Sequence, residues 1–106
     1  MTPRLRTILT ELRRELESLY GDRLVKLVLF GSQARGDSES GSDIDMLVVL
    51  KGPVQPSQEV HRASPLTAAV SLKHDVVISC VYASAERYET SQGPLLTNVQ
   101  AEGIPV

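Results

Sequence analysis

The chain has 106 residues, of which 42 % are hydrophobic and 23 % charged, and its formal net charge is -2. The length fits one small domain over residues 1–106, and the hydrophobic content suffices for a packed core, which excludes a disordered chain. The negative charge argues against nucleic-acid binding, general or sequence-specific. No apolar run approaches the ~20 residues that a membrane span needs. The single cysteine, Cys80, suits a reducing cytoplasm and excludes an internal disulfide.

Residues 3–20 predict an amphipathic helix. Thr2 can cap its start, Pro3 suits its first position, and Gly21 can end it. The opposite face carries mixed charge and is expected to be solvated. One apolar stripe recurs at helical spacing and is formed by Leu5, Ile8, Leu9, Leu12, Leu16 and Leu19.

Two apolar runs then predict two strands with a polar connection between them. In residues 24–30 the side chains on both faces of the predicted strand are apolar, except for Lys26. This pattern is typical of a central strand that is covered on both faces. Residues 31–36 should turn the chain into a short helix, and the turn-rich residues 37–42 should form an exposed loop. Residues 43–50 predict the second strand.

The second half of the chain predicts helices around a third strand. Residues 57–73 are predicted to be helical, with a break where Pro65 would start a second helix. Residues 76–82 predict strand three, residues 85–90 a short helix, and a last helix should end at Gly103. This order of elements predicts a small α/β sandwich.

A glycine and a serine follow the first predicted strand. Glycine lets the backbone approach a ligand closely and adopt φ angles that other residues avoid, and N–H groups at the start of a helix attract phosphate. The Ser32 hydroxyl can add a hydrogen bond. Gly31 and Ser32 are therefore candidates for holding phosphate, although a Gly-Ser pair after a strand is a weak signal by itself.

Asp43 and Asp45 stand one residue apart at the start of the second predicted strand, so their side chains project from the same face. Two carboxylates on one face repel each other unless a cation lies between them, and the natural occupant is a hard divalent cation. If strands one and two are antiparallel neighbours, which a twelve-residue connection permits, this pair lies beside Gly31 and Ser32 at one end of the sheet.

Asp75 precedes the third predicted strand. If that strand runs parallel to strand two, Asp75 reaches the same end of the sheet as the other two aspartates. Three carboxylates can hold two divalent ions, the arrangement that serves in-line displacement at phosphorus. We therefore expect Mg²⁺ to relieve the repulsion among the three carboxylates and to stabilise the protein.

The combined motif resembles the signature of the DNA polymerase β-like nucleotidyltransferase superfamily. It consists of Gly31-Ser32, ten intervening residues, and Asp43-Ile44-Asp45. The string GSQARGDSESGSDIDMLVVL is similar to the minimal members, which are small stand-alone nucleotidyltransferases. The likeness continues through SLKHDVVISCVYAS and PLLTNVQAEGIPV, and so it covers essentially the whole chain.

The resemblance implies a mixed sheet with helices packed on one face, bound Mg²⁺, and a nucleoside triphosphate, usually ATP. By this resemblance the three aspartates would be the catalytic metal ligands, with Asp75 nearest the attacking hydroxyl. Gly31 and Ser32 would hold the triphosphate. Arg35 would either contact phosphate or be a structural arginine.

Minimal members of the superfamily are typically paired with HEPN-domain proteins. The resemblance therefore implies an antitoxin that transfers AMP from ATP to a tyrosine of a HEPN toxin, within a possible hetero-oligomer. Two alternatives stay open: the same chemistry on a small molecule of the aminoglycoside type, and neutralisation of a toxin by binding alone. The first ranks lower, because the sequence offers no acidic pocket beyond the three aspartates to hold a polycation.

Several other reactive side chains have simpler interpretations. His74 is interpreted as a spectator or hydrogen-bonding residue rather than a catalyst. Ser79 and Cys80, inside strand three, are assigned to the core. Glu59 is a rival third carboxylate, but its place early in a helix suits an interaction with the helix dipole better.

Overall fold

The computed structural model describes residues 1–36 and 43–106, and the predicted loop over residues 37–42 lies outside them. A short 3₁₀ turn, Gly21–Arg23, links the first helix to the first strand. No helix in the described ranges is long and apolar enough to cross a membrane. The elements are α1 (Pro3–Tyr20), β1 (Leu24–Phe30), α2 (Gly31–Arg35), β2 (Ile44–Leu50), α3 (Pro56–His74), β3 (Ile78–Ser84), α4 (Ala85–Glu89), α5 (Pro94–Glu102) and β4 (Ile104–Pro105).

The strands form one mixed sheet in the order β3-β2-β1-β4. β1 runs antiparallel to β2, with Phe30 opposite Asp45. β2 runs parallel to β3, with Asp45 opposite Ser79. Both predicted pairings are confirmed, and they bring the end of β1 and the starts of β2 and β3 to one end of the sheet.

The two long helices, α1 and α3, pack on one face of the sheet. The apolar stripe of α1 is buried there as predicted, except that Leu19 is 39 % exposed and Tyr20 is buried instead. The helical repeat explains the exchange, because the position four residues after Leu16 continues the stripe. The core on this face also contains Leu27, Leu29, Met46, Val48, Leu50 and Tyr82.

The short helices α4 and α5 lie on the opposite face. Leu96 and Val99 of α5 pack there against Val28, Leu47 and Val49. The mixed sheet implied by the resemblance is confirmed, whereas the packing of helices on one face holds only for the two long helices.

α3 is one continuous helix, so the predicted break at Pro65 is wrong. A proline inside a helix removes one backbone hydrogen bond and crowds the preceding turn. Ala63 and Val70, on either side of Pro65, are both buried in the core, while Pro65 itself is exposed. Packing of both halves against the core therefore outweighs the local cost of the proline.

The C-terminal residues Ile104 and Pro105 form a short strand that the sequence did not predict, antiparallel to β1. Gly103 permits this pairing, because a Cβ atom at that position would lie 2.5 Å from Val28 Cγ1. The chain can thus leave α5 in close contact with the sheet.

Candidate functional site

Gly31 and Asp45 are in contact where β1 ends. Gly31 has a φ of +74°, in the region that favours glycine, and a Cβ atom there would overlap Oδ2 of Asp45. The backbone conformation and the neighbouring carboxylate therefore both select for glycine at this position. The two halves of the sequence motif meet at this point, as the antiparallel pairing predicted.

Side chains at the starts of β2 and β3 alternate between the two faces of the sheet. Ile44 and Ile78 are opposite each other in register, and both pack into the core under α1 and α3. Their odd-numbered neighbours therefore project from the other face, where α4 and α5 cover only residues further along the strands. Three of these neighbours are exposed and one is partly buried. This surface, the shelf, consists of Asp43, Asp45, Val77 and Ser79.

The side chain of Ser79 is exposed, so its assignment to the core is wrong. It lies beside Asp45 on the adjacent strand. Val77 extends the same ladder, because its carbonyl oxygen accepts a 2.9 Å hydrogen bond from the Ile44 N–H. Sequence reasoning missed both residues as parts of the site. The signal was the apolar alternation of Val76, Ile78 and Cys80, which leaves positions 77 and 79 on the other face.

The electrostatics of the shelf favour a cation. Burial and, as the second cause, the negative charge of Asp43 raise the pKa of Asp45. The ionised carboxylate is thus disfavoured in the folded protein unless positive charge comes close to it. Two carboxylates on one strand face form a donor set that fits a hard, oxygen-binding cation such as Mg²⁺.

Asp75 lies directly after α3. Its φ and ψ are 54° and 51°, in the left-handed region. The Asp75 N–H donates to the Leu72 carbonyl oxygen at 3.4 Å, and the Val76 N–H donates to the Ser71 carbonyl oxygen at 3.0 Å. Glycine is the usual residue at this place in such a helix ending. Aspartate is one of the few other residues that adopt this conformation readily, so the helix ending by itself assigns no function to the Asp75 side chain.

Asp75 lies at the same end of the sheet as Asp43 and Asp45, since it precedes β3. Within residues 1–36 and 43–106, however, no three His, Cys, Asp or Glu side chains are placed to hold a metal ion together. The structure therefore brings Asp43 and Asp45 together, and the role of Asp75 as a third ligand stays a prediction.

Ser32 and Arg35 lie in α2, directly after Gly31. Ser32 is partly buried, and its carbonyl oxygen accepts a 3.0 Å hydrogen bond from the Gly36 N–H. Arg35 is exposed and forms an ion pair with Glu102 of α5 at 3.5 Å. Exposed pairs of this kind contribute about 0 to 1 kcal/mol, and so this contact leaves both interpretations of Arg35 open.

Glu59 is excluded as the third carboxylate by its position. It is buried in the first turns of α3, where it accepts hydrogen bonds from the Tyr20 hydroxyl at 3.0 Å and from Arg62 at 3.2 Å. Arg23 forms an ion pair with it at 3.5 Å and also donates to the Lys51 carbonyl oxygen, just past β2. Since β2 has seven residues, this cluster lies roughly 20 Å from the start of that strand.

His74 and Cys80 behave as predicted. The imidazole Nε2 of His74 lies 2.5 Å from Oε2 of Glu11 on α1, and Lys73 pairs with the same carboxylate at 2.8 Å. These contacts join the end of α3 to α1. Burial raises the pKa of the Cys80 thiol to about 11, so the reactive thiolate is suppressed.

Comparison with known proteins agrees with this geometry. The family model of the nucleotidyltransferase domain matches residues 9–93, which include Gly31 and all three aspartates. A candidate protein adenylyltransferase of Methanocaldococcus jannaschii, MJ0141, is 33 % identical over 72 residues, which cover 68 % of this chain and 72 % of that protein.

Solved structures share the fold. A candidate minimal nucleotidyltransferase superposes with a TM-score of 0.61 at 25 % identity, over 96 % of this chain and 95 % of that one. A toxin–antitoxin structure with AMP-PNP superposes with a TM-score of 0.63 at 19 % identity, over 91 % of this chain and 69 % of that one. At the lower identity the likeness establishes the fold alone.

Proposed function

This chain belongs to the nucleotidyltransferase domain family, and we propose that it transfers AMP from ATP to a tyrosine hydroxyl of a HEPN-domain toxin. It would thereby act as an antitoxin by protein adenylylation, in the cytoplasm and within a hetero-oligomer. The contact between Gly31 and Asp45 is the observation that carries the proposal. It joins a turn suited to phosphate with a carboxylate suited to a cation, and a nucleoside triphosphate bound with Mg²⁺ needs both.

In the proposed reaction, the acceptor oxygen forms a bond to the α-phosphorus of ATP. The bond from that phosphorus to the oxygen bridging the β-phosphate breaks, pyrophosphate leaves, and the hydroxyl proton is released. Gly31 and Ser32 would orient the triphosphate through backbone N–H groups and the serine hydroxyl. Arg35 lies in the same short helix as Gly31 and Ser32, and its guanidinium group would contact a phosphate of the bound nucleotide.

Asp43 and Asp45 fit Mg²⁺ by their chemistry and their shared face, and Asp75 is proposed as the third ligand of a site for two ions. When bound, Mg²⁺ lowers the pKa of the attacking hydroxyl and offsets the negative charge that develops in the transition state. The raised pKa of Asp45, caused by burial and then by Asp43, supports this assignment, because a nearby cation favours the ionised carboxylate and opposes the shift.

The acceptor and partner rest on the resemblance and on what related proteins are named for. MJ0141 is a candidate protein adenylyltransferase, and one solved neighbour is a toxin–antitoxin structure containing AMP-PNP.

The test is to incubate the protein with Mg²⁺, with ATP labelled at the α-phosphate, and with the toxin encoded beside it. We expect label on a toxin tyrosine, identified by peptide mass spectrometry, and none when Asp43→Asn replaces the wild type or EDTA is present. The proposal fails if the toxin stays unlabelled, or if Asp43→Asn labels it as well as the wild type does.

The same assay distinguishes the two alternatives. AMP transfer to an aminoglycoside panel, with an unlabelled toxin, would favour a small-molecule nucleotidyltransferase. Neutralisation of the toxin by Asp43→Asn as complete as that by the wild type would favour an antitoxin that acts by binding.

A further inference from the structure

We propose that Val77 and Ser79 form the acceptor subsite and select an uncharged phenol over a polycation, an inference that rests on the nucleotidyl transfer proposed above. Both residues lie on the shelf, and Ser79 is the register partner of Asp45. Nothing in the sequence motif assigns them a role.

The order of strands gives the subsite its place. Asp45 is flanked by β1 on one side and by β3 on the other, with Phe30 and Ser79 as its register partners. Gly31 follows Phe30 directly, so the phosphate turn lies on the β1 side. Neighbouring strands are about 4.8 Å apart, so the exposed side chains of β3 lie within reach of a group that attacks the α-phosphorus from the side opposite β1.

The side chains on the β3 side determine what can lie there. Val77 is 55 % exposed, and it lies next to the carboxylates of the shelf, where its apolar side chain is a suitable surface for an aromatic ring. Ser79 offers a neutral hydroxyl beside Asp45, and it can donate to or accept from a phenolic oxygen.

Charge separates the two classes of acceptor. Neither Val77 nor Ser79 carries charge, and Asp43 and Asp45 are assigned to the cation. A polycationic acceptor would therefore find no free carboxylate among the shelf residues, whereas a phenol needs only an apolar surface and one hydrogen-bonding partner.

The experiment measures AMP transfer to three probes: N-acetyl-tyrosinamide, N-acetyl-serinamide and an aminoglycoside. We expect the wild type to prefer the phenol. Val77→Ser should raise the KM for the phenol about tenfold and leave the KM for ATP unchanged, and Ser79→Ala should lower kcat/KM for the phenol by a similar factor.

Matched variants separate a local effect from a general one. Val60→Ser replaces a valine of similar exposure, 51 %, on α3, and it should leave every kinetic constant unchanged. Val77→Thr keeps the shape of the side chain and should show a smaller rise in KM than Val77→Ser. Thermal unfolding of each variant identifies any that does not fold.

The outcomes distinguish this inference from the function on which it rests. If the wild type transfers AMP to none of the probes and not to the toxin, the proposed function fails and the subsite falls with it. If the wild type transfers AMP but Val77→Ser and Ser79→Ala keep the wild-type KM for the phenol, only the subsite is overturned. A preference for the aminoglycoside overturns the subsite as well.

Discussion

Replacing Gly31 with alanine tests the contact on which the site depends. Gly31 has a φ of +74°, and a Cβ atom there would overlap the Asp45 carboxylate. The left-handed backbone costs a non-glycine residue about 1 to 2 kcal/mol, and added volume against a fixed group costs about 1 to 3 kcal/mol more. We therefore expect Gly31→Ala to lower the free energy of unfolding by about 2 to 5 kcal/mol.

Gly52 provides the matched control. Its φ is +77°, and among the described residues no atom beyond its chain neighbours lies within 4 Å of the Cβ position. Gly52→Ala should therefore cost only the backbone part, about 1 to 2 kcal/mol. In a domain of this size a loss of 1 kcal/mol lowers Tm by about 4 to 8 °C, so thermal unfolding resolves the two variants.

AMP transfer supplies the second measurement, because the Asp45 side chain could swing away from the new methyl group. That movement would spare stability but displace the carboxylate, so Gly31→Ala should lose transfer whereas Gly52→Ala keeps it. The double variant Gly31→Ala/Asp45→Ala should recover the steric part of the stability loss and stay inactive. If Gly31→Ala matches Gly52→Ala in both Tm and transfer, the contact does not constrain the site and the reasoning is refuted.

Three further predictions concern charge and strain. The pKa of Asp45 is raised by burial and then by Asp43, so the stability linked to its protonated form is present below the unfolded pKa and is lost as the pH rises through the folded pKa. Without Mg²⁺ at pH 7, Asp45→Asn should therefore raise the free energy of unfolding, measured with urea, whereas Asp22→Asn should not. Asp75 has a left-handed backbone conformation that glycine adopts at lower cost, so Asp75→Gly should stabilise the protein by about 1 kcal/mol and abolish AMP transfer. A variant that is less stable than the wild type and fully active would contradict this prediction. Hydrogen bonds from His74 and then Lys73 lower the pKa of Glu11, so Glu11→Gln should reduce Tm at pH 7. The difference in Tm from the wild type should vanish as the pH falls through the folded pKa of Glu11. A difference that does not depend on pH would contradict the ion pairing.

The juxtaposition of Gly31 and Asp45 could be predicted because it depends on local spacing and strand direction. A short connection between two apolar runs favours antiparallel neighbours, and this pairing carries Gly31 to Asp45. The i and i+2 spacing of the two aspartates fixes their common face whatever the rest of the chain does. The closeness of the glycine turn to the carboxylate pair could therefore be predicted before any fold was known.

The errors arise where tertiary packing overrides a local signal. Pro65 predicts a break, but buried residues on both sides keep α3 continuous. Ser79 lies in an apolar run, which suggested a core position, yet α4 and α5 pack further along the strands and Ser79 is exposed. The strand Ile104–Pro105 is too short to carry a pattern of its own, and only its pairing with β1 defines it. Spacing gives the face on which Ser79 lies, but it does not give the exposure of Ser79, the continuity of α3 or the last strand.

The central claim is that Asp43 and Asp45 bind a divalent cation for AMP transfer to a protein tyrosine. The most direct measurement is mass spectrometry of the intact partner toxin after reaction with ATP and Mg²⁺. The account predicts that wild-type protein adds AMP to the toxin on a tyrosine and that Asp43→Asn and Asp45→Asn, although folded, add none. AMP addition by either variant at the wild-type rate, or an unmodified toxin with wild-type protein, would contradict it.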